Sequence, residues 1–179
     1  LSNNMKIGLN ILMASKDQNI KEFINLGSSC MYPKNSKNPI SEDDILKGEL
    51  EPTNEGYALS KIISTKLCEY ISRENDSFLY KTIIPCNLYG RYDNFDSDTS
   101  HMIPGVIKRI FEAKNKTQES VDIWGDGSTR REFMFAGDFA HFIYYAIENF
   151  IKMPNNINVG IGIDYSITDY YKIIADVIG

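Results

Sequence analysis

Only three cysteines, Cys30, Cys68 and Cys86, occur in 179 residues. They are too few and too widely spaced for a disulfide framework, and they form no CxxC metal site. The expectation is a reducing compartment, the cytoplasm, and no metal. No apolar run approaches the length that spans a bilayer, and no signal peptide is visible. Positive charge is in the minority: 19 Lys and Arg stand against 24 Asp and Glu, a net charge of −5. That balance argues against nucleic acid or a membrane surface as the main partner. An anionic small molecule needs only a local cluster of cations and is not excluded. Internal repeats and low-complexity tracts are absent as well. So is a GxxGxxG-type glycine turn near the N-terminus, where backbone N–H groups and a helix start would cradle a pyrophosphate. "GIG" at Gly160–Gly162 follows a strand pattern but lacks the third glycine, and reads as turn chemistry.

What is present is ordinary for a soluble globular chain, with 42% hydrophobic and 24% charged residues. Apolar spacing predicts a largely buried helix over Met5–Ser15, then a short buried strand over Glu22–Leu26. A polar segment from Asn35 to Asn54, containing Pro39, Gly48 and Pro52, reads as a long loop. Leu59, Ile62, Ile63, Leu67, Tyr70 and Ile71 have helical spacing within 56–73. Leu79–Ile84, closed by Pro85, is β-branched and reads as a strand. Pro104 suits the first turn of a helix running to about Lys114. Val121–Trp124 is expected to be a strand ending in the turn "GDG". Asp138 is placed to cap a helix through Phe150, Ile157–Val159 reads as a strand, and Ser166 with Asp169 has capping-box spacing before a last helix. Strands alternating with helices favour an α/β fold with a mostly parallel sheet. The chain begins on Leu1 inside a helical pattern and ends just after another helix, so it is expected to be part of a longer protein.

Two stretches carry chemistry. "EGYALSK" puts Tyr57 and Lys61 four apart, on one helix face, where an ammonium favours the phenolate and equips the tyrosine for acid–base work. Alone, YxxxK also fits a core-edge tyrosine beside a solvated lysine. About thirty residues upstream, "LGSSCMYPK" ends the Glu22–Leu26 strand, and Ser28 falls at the carboxyl end where open α/β sheets place their ligands. Cys30, two residues on, is either a small buried hydrophobe or a working thiol.

Ser28, Tyr57 and Lys61 in this strand–loop–helix context resemble the extended short-chain dehydrogenase/reductases that act on nucleotide sugars. "LEPTNEGYALSK", "NLYGRYDNF", "SHMIPGVIKRI" and "WGDGSTRREF" narrow the resemblance to the GDP-L-fucose synthase family, over almost the whole chain. The resemblance implies a Rossmann-like, mostly parallel sheet, of which this chain holds the second half, with part of a smaller substrate-binding domain. Residues 1–100 would belong to the NADP-binding domain, and 101–179 mainly to the nucleotide-sugar region, with 131–160 returning to the first.

It further implies NADPH as cofactor, a GDP-sugar substrate and a homodimer built through the Tyr57 helix. Ser28, Cys30, Tyr57, Lys61 and His101 would be catalytic. Leu26, Gly27, Ser29, Pro85, Cys86, Asn87 and Leu88 would join Ser28, Tyr57, Lys61 and His101 around the cofactor. Asn87, Arg109, Trp124 and Arg131 would contact the substrate. The implied reaction inverts C3 and C5 of GDP-4-keto-6-deoxymannose, with Cys30 and His101 moving protons, and then reduces C4, with Tyr57 as proton donor. Family members often carry Thr where this chain has Cys86. Arg130 departs from the pattern and reads as solvated surface, and His141 as structural. GDP-colitose or GDP-deoxyheptose synthesis would use the same residues. A truncated inactive product, or a simple dehydratase or 4-epimerase, are the rival readings; the last would not require both Cys30 and His101.

Overall fold

A computed structural model describes residues 2–123 and 125–179; Trp124 lies outside the described residues. The chain forms two compact units, one of 1–86 and 142–159, the other of 87–141 and 160–179. The segment Phe142–Val159 thus returns to the first unit.

The first unit is built on a parallel sheet. Helix α1 (Ser2–Asp17) leads into strand β1 (Glu22–Leu26). Helix α2 (Glu55–Glu74) then carries the chain to strand β2 (Leu79–Pro85), and β6 (Asn156–Val159) completes the order β1-β2-β6. The register places Leu26 opposite Ile83 and Pro85 opposite Val159. β2 is the middle strand and nearly all buried, the polar Lys81 and Thr82 at its centre included.

Helix α2 forms because Ala58, Ile62, Thr65, Cys68 and Ile71 recur every three or four residues and lie buried on one face. Two apolar clusters hold this unit. Leu12, Cys68, Ile71, Phe78 and Tyr80 form one, at the end of β2 where α2 finishes. Met31, Tyr32, Ile45, Ile62 and Ile84 form the other, beneath the turn that follows β1. The long loop is as expected, with one 3-10 turn at Glu42–Asp44 closed by a Ser41/Asp44 capping box.

Two expectations need correction here. Helix α1 is not largely buried: Leu12 is, but Ile7, Leu9, Ile11 and Met13 are exposed. Its apolar residues run round the cylinder, whereas it packs mainly on α2, so one stripe alone is covered. Strand β1 is half-buried rather than buried, with Glu22 and Leu26 exposed at its ends. Among the described residues, β2 is its single hydrogen-bonded neighbour.

The second unit holds β3 (Asn87–Tyr89) paired parallel with β5 (Phe133–Phe135), and β4 (Arg130–Arg131) paired antiparallel with β7 (Tyr165–Ser166). Helices α3 (Met102–Asn115) and α5 (Ile167–Ile178) pack through Val106, Ile110 and Tyr171. Ser166 and Asp169 make the anticipated capping box at the start of α5. Helix α4 (Ala136–Glu148) starts two residues before Asp138, which falls in its first turn. The strand expected at Val121–Trp124 is absent from the described part, 121–123. Val121 and Ile123 are apolar because they pack on the α3–α5 cluster, not because they join a sheet. No described helix is long and apolar enough to cross a membrane.

Candidate functional site

Strand β1 stops at Leu26 because Gly27 leaves no room for a side chain. A Cβ there would stand 3.1 Å from each of Ile84 Cγ1, Met31 Cε and Thr82 Cγ2. The bare glycine lets the chain turn directly over β2. Ser28, in extended conformation, is the N-cap of a 3-10 turn, Ser29–Met31. Its hydroxyl accepts from the Cys30 backbone N–H at 3.3 Å, and its carbonyl accepts from the Met31 N–H at 3.0 Å. Capping uses a lone pair of Ser28 Oγ and leaves its O–H hydrogen for another acceptor. Cys30 is half-buried and unbridged.

Tyr57 lies in the first turn of α2, 39% exposed. Its carbonyl accepts from Ser60 Oγ at 2.6 Å. Lys61 follows one turn later, with Nζ 5.8 Å from the centre of the Tyr57 ring. The same Nζ donates to the Leu26 carbonyl at 2.8 Å, which ties α2 to the end of β1 two residues before Ser28. Burial pulls the Lys61 ammonium below the usual lysine range. Tyr57 and Lys61 line a groove of ≈ 290 Å³ with Leu26, Ser60, Gly8 and Ile11. Ser28, Cys30, Tyr57 and Lys61 therefore belong to one unit, and the Lys61–Leu26 bond joins the two elements that carry them.

The remaining residues divide between the units. Pro85 ends β2, and the Cys86 N–H donates to the Val159 carbonyl at 2.8 Å. Asn87 and Leu88 open the second unit, where Asn87 Nδ2 donates to the Glu132 carbonyl at 3.0 Å and Leu88 pairs with Met134. His101 is the exposed N-cap residue of α3, and its imidazole makes no capping bond. Arg109 Nη1 donates to the Tyr171 hydroxyl at 2.9 Å and to the Asp122 carbonyl at 3.1 Å, so this guanidinium helps fasten α3 to α5. Arg131 is exposed on β4, and its Nη1 donates to the Arg130 carbonyl at 2.8 Å. Arg130 is solvated surface, as expected, and pairs there with Asp164 at 3.0 Å, which holds that carboxyl below its ordinary range. His141 is an exposed residue of α4.

Some partners had no motif to announce them. The Tyr32 hydroxyl donates to Asn158 Oδ1 on β6, and burial pushes that phenol well up. Asn158 also donates from its backbone to Glu42 Oε1 at 2.6 Å and from Nδ2 to the Ile40 carbonyl at 3.0 Å. The long loop is thereby strapped to Asn158, which also holds Tyr32, the residue after the Ser28–Met31 turn. The one available signal was polar asparagine inside an apolar strand, "NINV".

The model of the NAD dependent epimerase/dehydratase family matches residues 1–160. The chain belongs to that family. It is 62% identical over 179 residues to a GDP-L-colitose synthase from Yersinia pseudotuberculosis, covering all of this chain and 58% of that protein. To a GDP-L-fucose synthase from Escherichia coli it is 41% identical over 184 residues, covering 98% of this chain and 57% of that one. The chain thus spans little more than half the length of these relatives. Among solved structures, a GDP-D-glycero-L-gluco-heptose synthase from Campylobacter jejuni, determined in the presence of NADPH, superposes with a TM-score of 0.85. It is 28% identical, over 98% of this chain and 62% of that one. A GDP-L-fucose synthetase from Naegleria fowleri bound to NADP gives 0.83 at 25% identity, over 97% and 55% of the two chains. The neighbours in this family share the α/β architecture and the parallel sheet described above.

Proposed function

We propose that the protein containing this chain is an NADPH-dependent epimerase–reductase of GDP-4-keto-6-deoxy sugars. The observation that carries the reading is the Lys61–Leu26 bond, which sets the Tyr57 helix against the strand end bearing Ser28 and Cys30. Residues 1–86 with the returning strand form the cofactor side in this reading, and the second unit the nucleotide-sugar side.

The chemistry follows from the residue types. A carbonyl at C4 acidifies the flanking C–H bonds, so a base on one face and an acid on the other invert a stereocentre. The Cys30 thiol is positioned by its own N–H on Ser28 Oγ. We assign Cys30 and His101 to these proton transfers, and Ser28 Oγ to hydrogen-bonding the C4 oxygen. Tyr57 then gives its proton to that oxygen, and Lys61 holds positive charge beside the phenol. NADPH supplies the hydride that arrives at C4.

The donor set fits the nicotinamide end of such a cofactor: Leu26, Gly27, Ser28, Ser29, Tyr57 and Lys61 stand at the sheet's carboxyl edge, with Pro85 and Cys86 ending the next strand. The resemblance assigns Asn87, Leu88 and His101 to the cofactor as well. The "GIG" turn does not fit a phosphate. The open side of Gly160 faces the Glu132 carboxylate, and the same carboxylate takes the Gly162 N–H at 2.7 Å. For the substrate, Asn87, Arg109, Trp124 and Arg131 are the assigned contacts, a guanidinium being suited to two-pronged pairing with a pyrophosphate. A cytoplasmic homodimer completes the proposal; its support is the exposed apolar residues Ile63 and Tyr70 on α2.

L-Colitose is L-fucose without the 3-hydroxyl, and the 62% identity to a GDP-L-colitose synthase favours it as the product. With no substituent at C3, a single centre, C5, remains to invert. The test supplies full-length protein and NADPH with GDP-4-keto-6-deoxymannose or its 3-deoxy counterpart, and reads products by NMR. Faster conversion of the 3-deoxy sugar is expected. Faster conversion of the 3-hydroxy sugar assigns fucose synthesis, and conversion of neither refutes the proposal.

A further inference from the structure

The core between β1, β2 and α2 is polar where an aliphatic core would have served. Asn25 Nδ2 donates to Thr82 Oγ1 at 3.2 Å and to Thr65 Oγ1 at 3.4 Å. Thr65 Oγ1 in turn donates to Met31 Sδ at 3.6 Å. The buried Cys68 thiol of α2 lies beside Thr82 in the same core. Thr65, Thr82 and Met31 are wholly buried, at 0% exposure, and Cys68 is at 1%. Both threonine hydroxyls thus accept from the Asn25 amide, and that of Thr65 passes its hydrogen to a sulfur. Valine has nearly the shape of threonine and would fill these sites without the cost of desolvating a hydroxyl. What the hydroxyls add is direction: apolar contacts tolerate sliding, whereas hydrogen bonds to buried hydroxyls favour one register.

The elements joined are the ones that matter. Asn25 is the penultimate residue of β1, Thr82 faces it from β2, and Met31 ends the 3-10 turn that contains Cys30. Thr65 stands one turn beyond Lys61 and two beyond Tyr57, on the same face of α2. The bare face of Gly27 rests on Met31 Cε and Thr82 Cγ2, so the turn sits directly on members of the network. A slip of one residue along α2 would move Tyr57 by about 1.5 Å and rotate it by roughly 100°.

We infer that Asn25, Thr65 and Thr82 are positioning residues that hold the Tyr57–Lys61 helix and the Ser28–Met31 turn in one register for proton transfer. The inference rests on the function proposed above.

The test uses full-length protein, NADPH and whichever of the two 4-keto sugars the unsubstituted protein reduces. Thr65→Val removes the hydroxyl and keeps the shape. Its kcat for reduction should fall about 5- to 10-fold, the size expected for one hydrogen bond to a polar partner, with KM for the sugar within about twofold. Thr65→Ser, which returns the hydroxyl, should recover to within about twofold of the unsubstituted rate. Rates are read well below each variant's unfolding midpoint, so that lost stability alone does not register. Met31→Leu removes the sulfur acceptor at similar volume and should lower kcat about 2- to 3-fold. An unchanged kcat in Thr65→Val, or a serine variant no better than valine, overturns the inference. Should the valine variant fail to fold, an unchanged kcat in Met31→Leu overturns it instead. If the unsubstituted protein reduces neither sugar, the proposed function falls and takes this inference with it. If it reduces one and Thr65→Val is equally fast, the inference alone fails.

Discussion

Gly27→Ala is the smallest change that probes how the Ser28–Cys30 turn is held. The added methyl would stand 3.1 Å from three carbons, where ordinary contact begins at 3.4 Å. Met31 Cε is the end of a flexible side chain and can retreat. Thr82 Cγ2 and Ile84 Cγ1 cannot retreat as easily, since both belong to stiff, buried β-branched residues of the central strand. The remaining outlet is the turn itself, lifted by a few tenths of an ångström. Overpacking of this kind costs about 1–3 kcal/mol, which for a chain of this size lowers the unfolding midpoint by roughly 2–12 °C. The lift also displaces Ser28 Oγ. Because a 1 Å misplacement can cost about 100-fold in rate, a shift of less than half that should cost about 3- to 10-fold in kcat for reduction. The assays are thermal unfolding by circular dichroism and NADPH consumption by the full-length protein. An alanine variant with the same midpoint and the same kcat would show that the turn absorbs the methyl, and would refute the claim that close packing of Gly27 sets its position.

Other outcomes can be checked independently. Lys81 is 4% exposed, and its Nζ donates to the carbonyls of Phe150 at 2.7 Å, Ile151 at 3.4 Å and also Met153. Lys81→Met strands these carbonyls, so a loss of about 2–4 kcal/mol is expected, with amide exchange rising first over Asn156–Val159. Asp169, Asp44 and Asp164 are held below their ordinary value of 3.8 by bonds from Ser166, Ser41 and Arg130 respectively. Folded values that are depressed stabilise the fold above the ordinary carboxylate range and lose that contribution as pH falls through the folded values. The urea midpoint should therefore be flat from about pH 6 to 5 and drop below about pH 4, with a smaller drop in Asp169→Asn. Cys30→Ala should slow solvent deuterium uptake by the 4-keto sugar while NADPH titration is unchanged. Undiminished uptake would leave Cys30 a packing residue.

The legible part of the fold was the part with period. Helix α2, β2, α3 and α5 each contain enough apolar positions to declare their type, and "SITD" declares its own cap. The short strands β3, β4, β5 and β7 have two or three residues each, too few for any pattern. Val121 and Ile123 misled because an alternating apolar pair reads as strand whether it meets a sheet or two helices. Helix α1 misled for the opposite reason: its apolar residues are real, but burial depends on what packs against them. At the site, Ser28, Cys30, Tyr57 and Lys61 could be named from spacing and resemblance. Their supports could not. Asn25, Thr65, Thr82 and Asn158 belong to no motif, and partners lie as far as 126 positions away in sequence.

The central claim is that one site removes protons beside the carbonyl and then reduces it, with Tyr57 confined to the second task. Full-length Tyr57→Phe in D2O, given its 4-keto sugar and NADPH, tests this in a single NMR tube. The account predicts deuterium at the inverted centre at a rate near that of the unsubstituted protein, and reduction slower by at least about 100-fold. Reduction at the full rate, or deuterium uptake lost together with reduction, would contradict it.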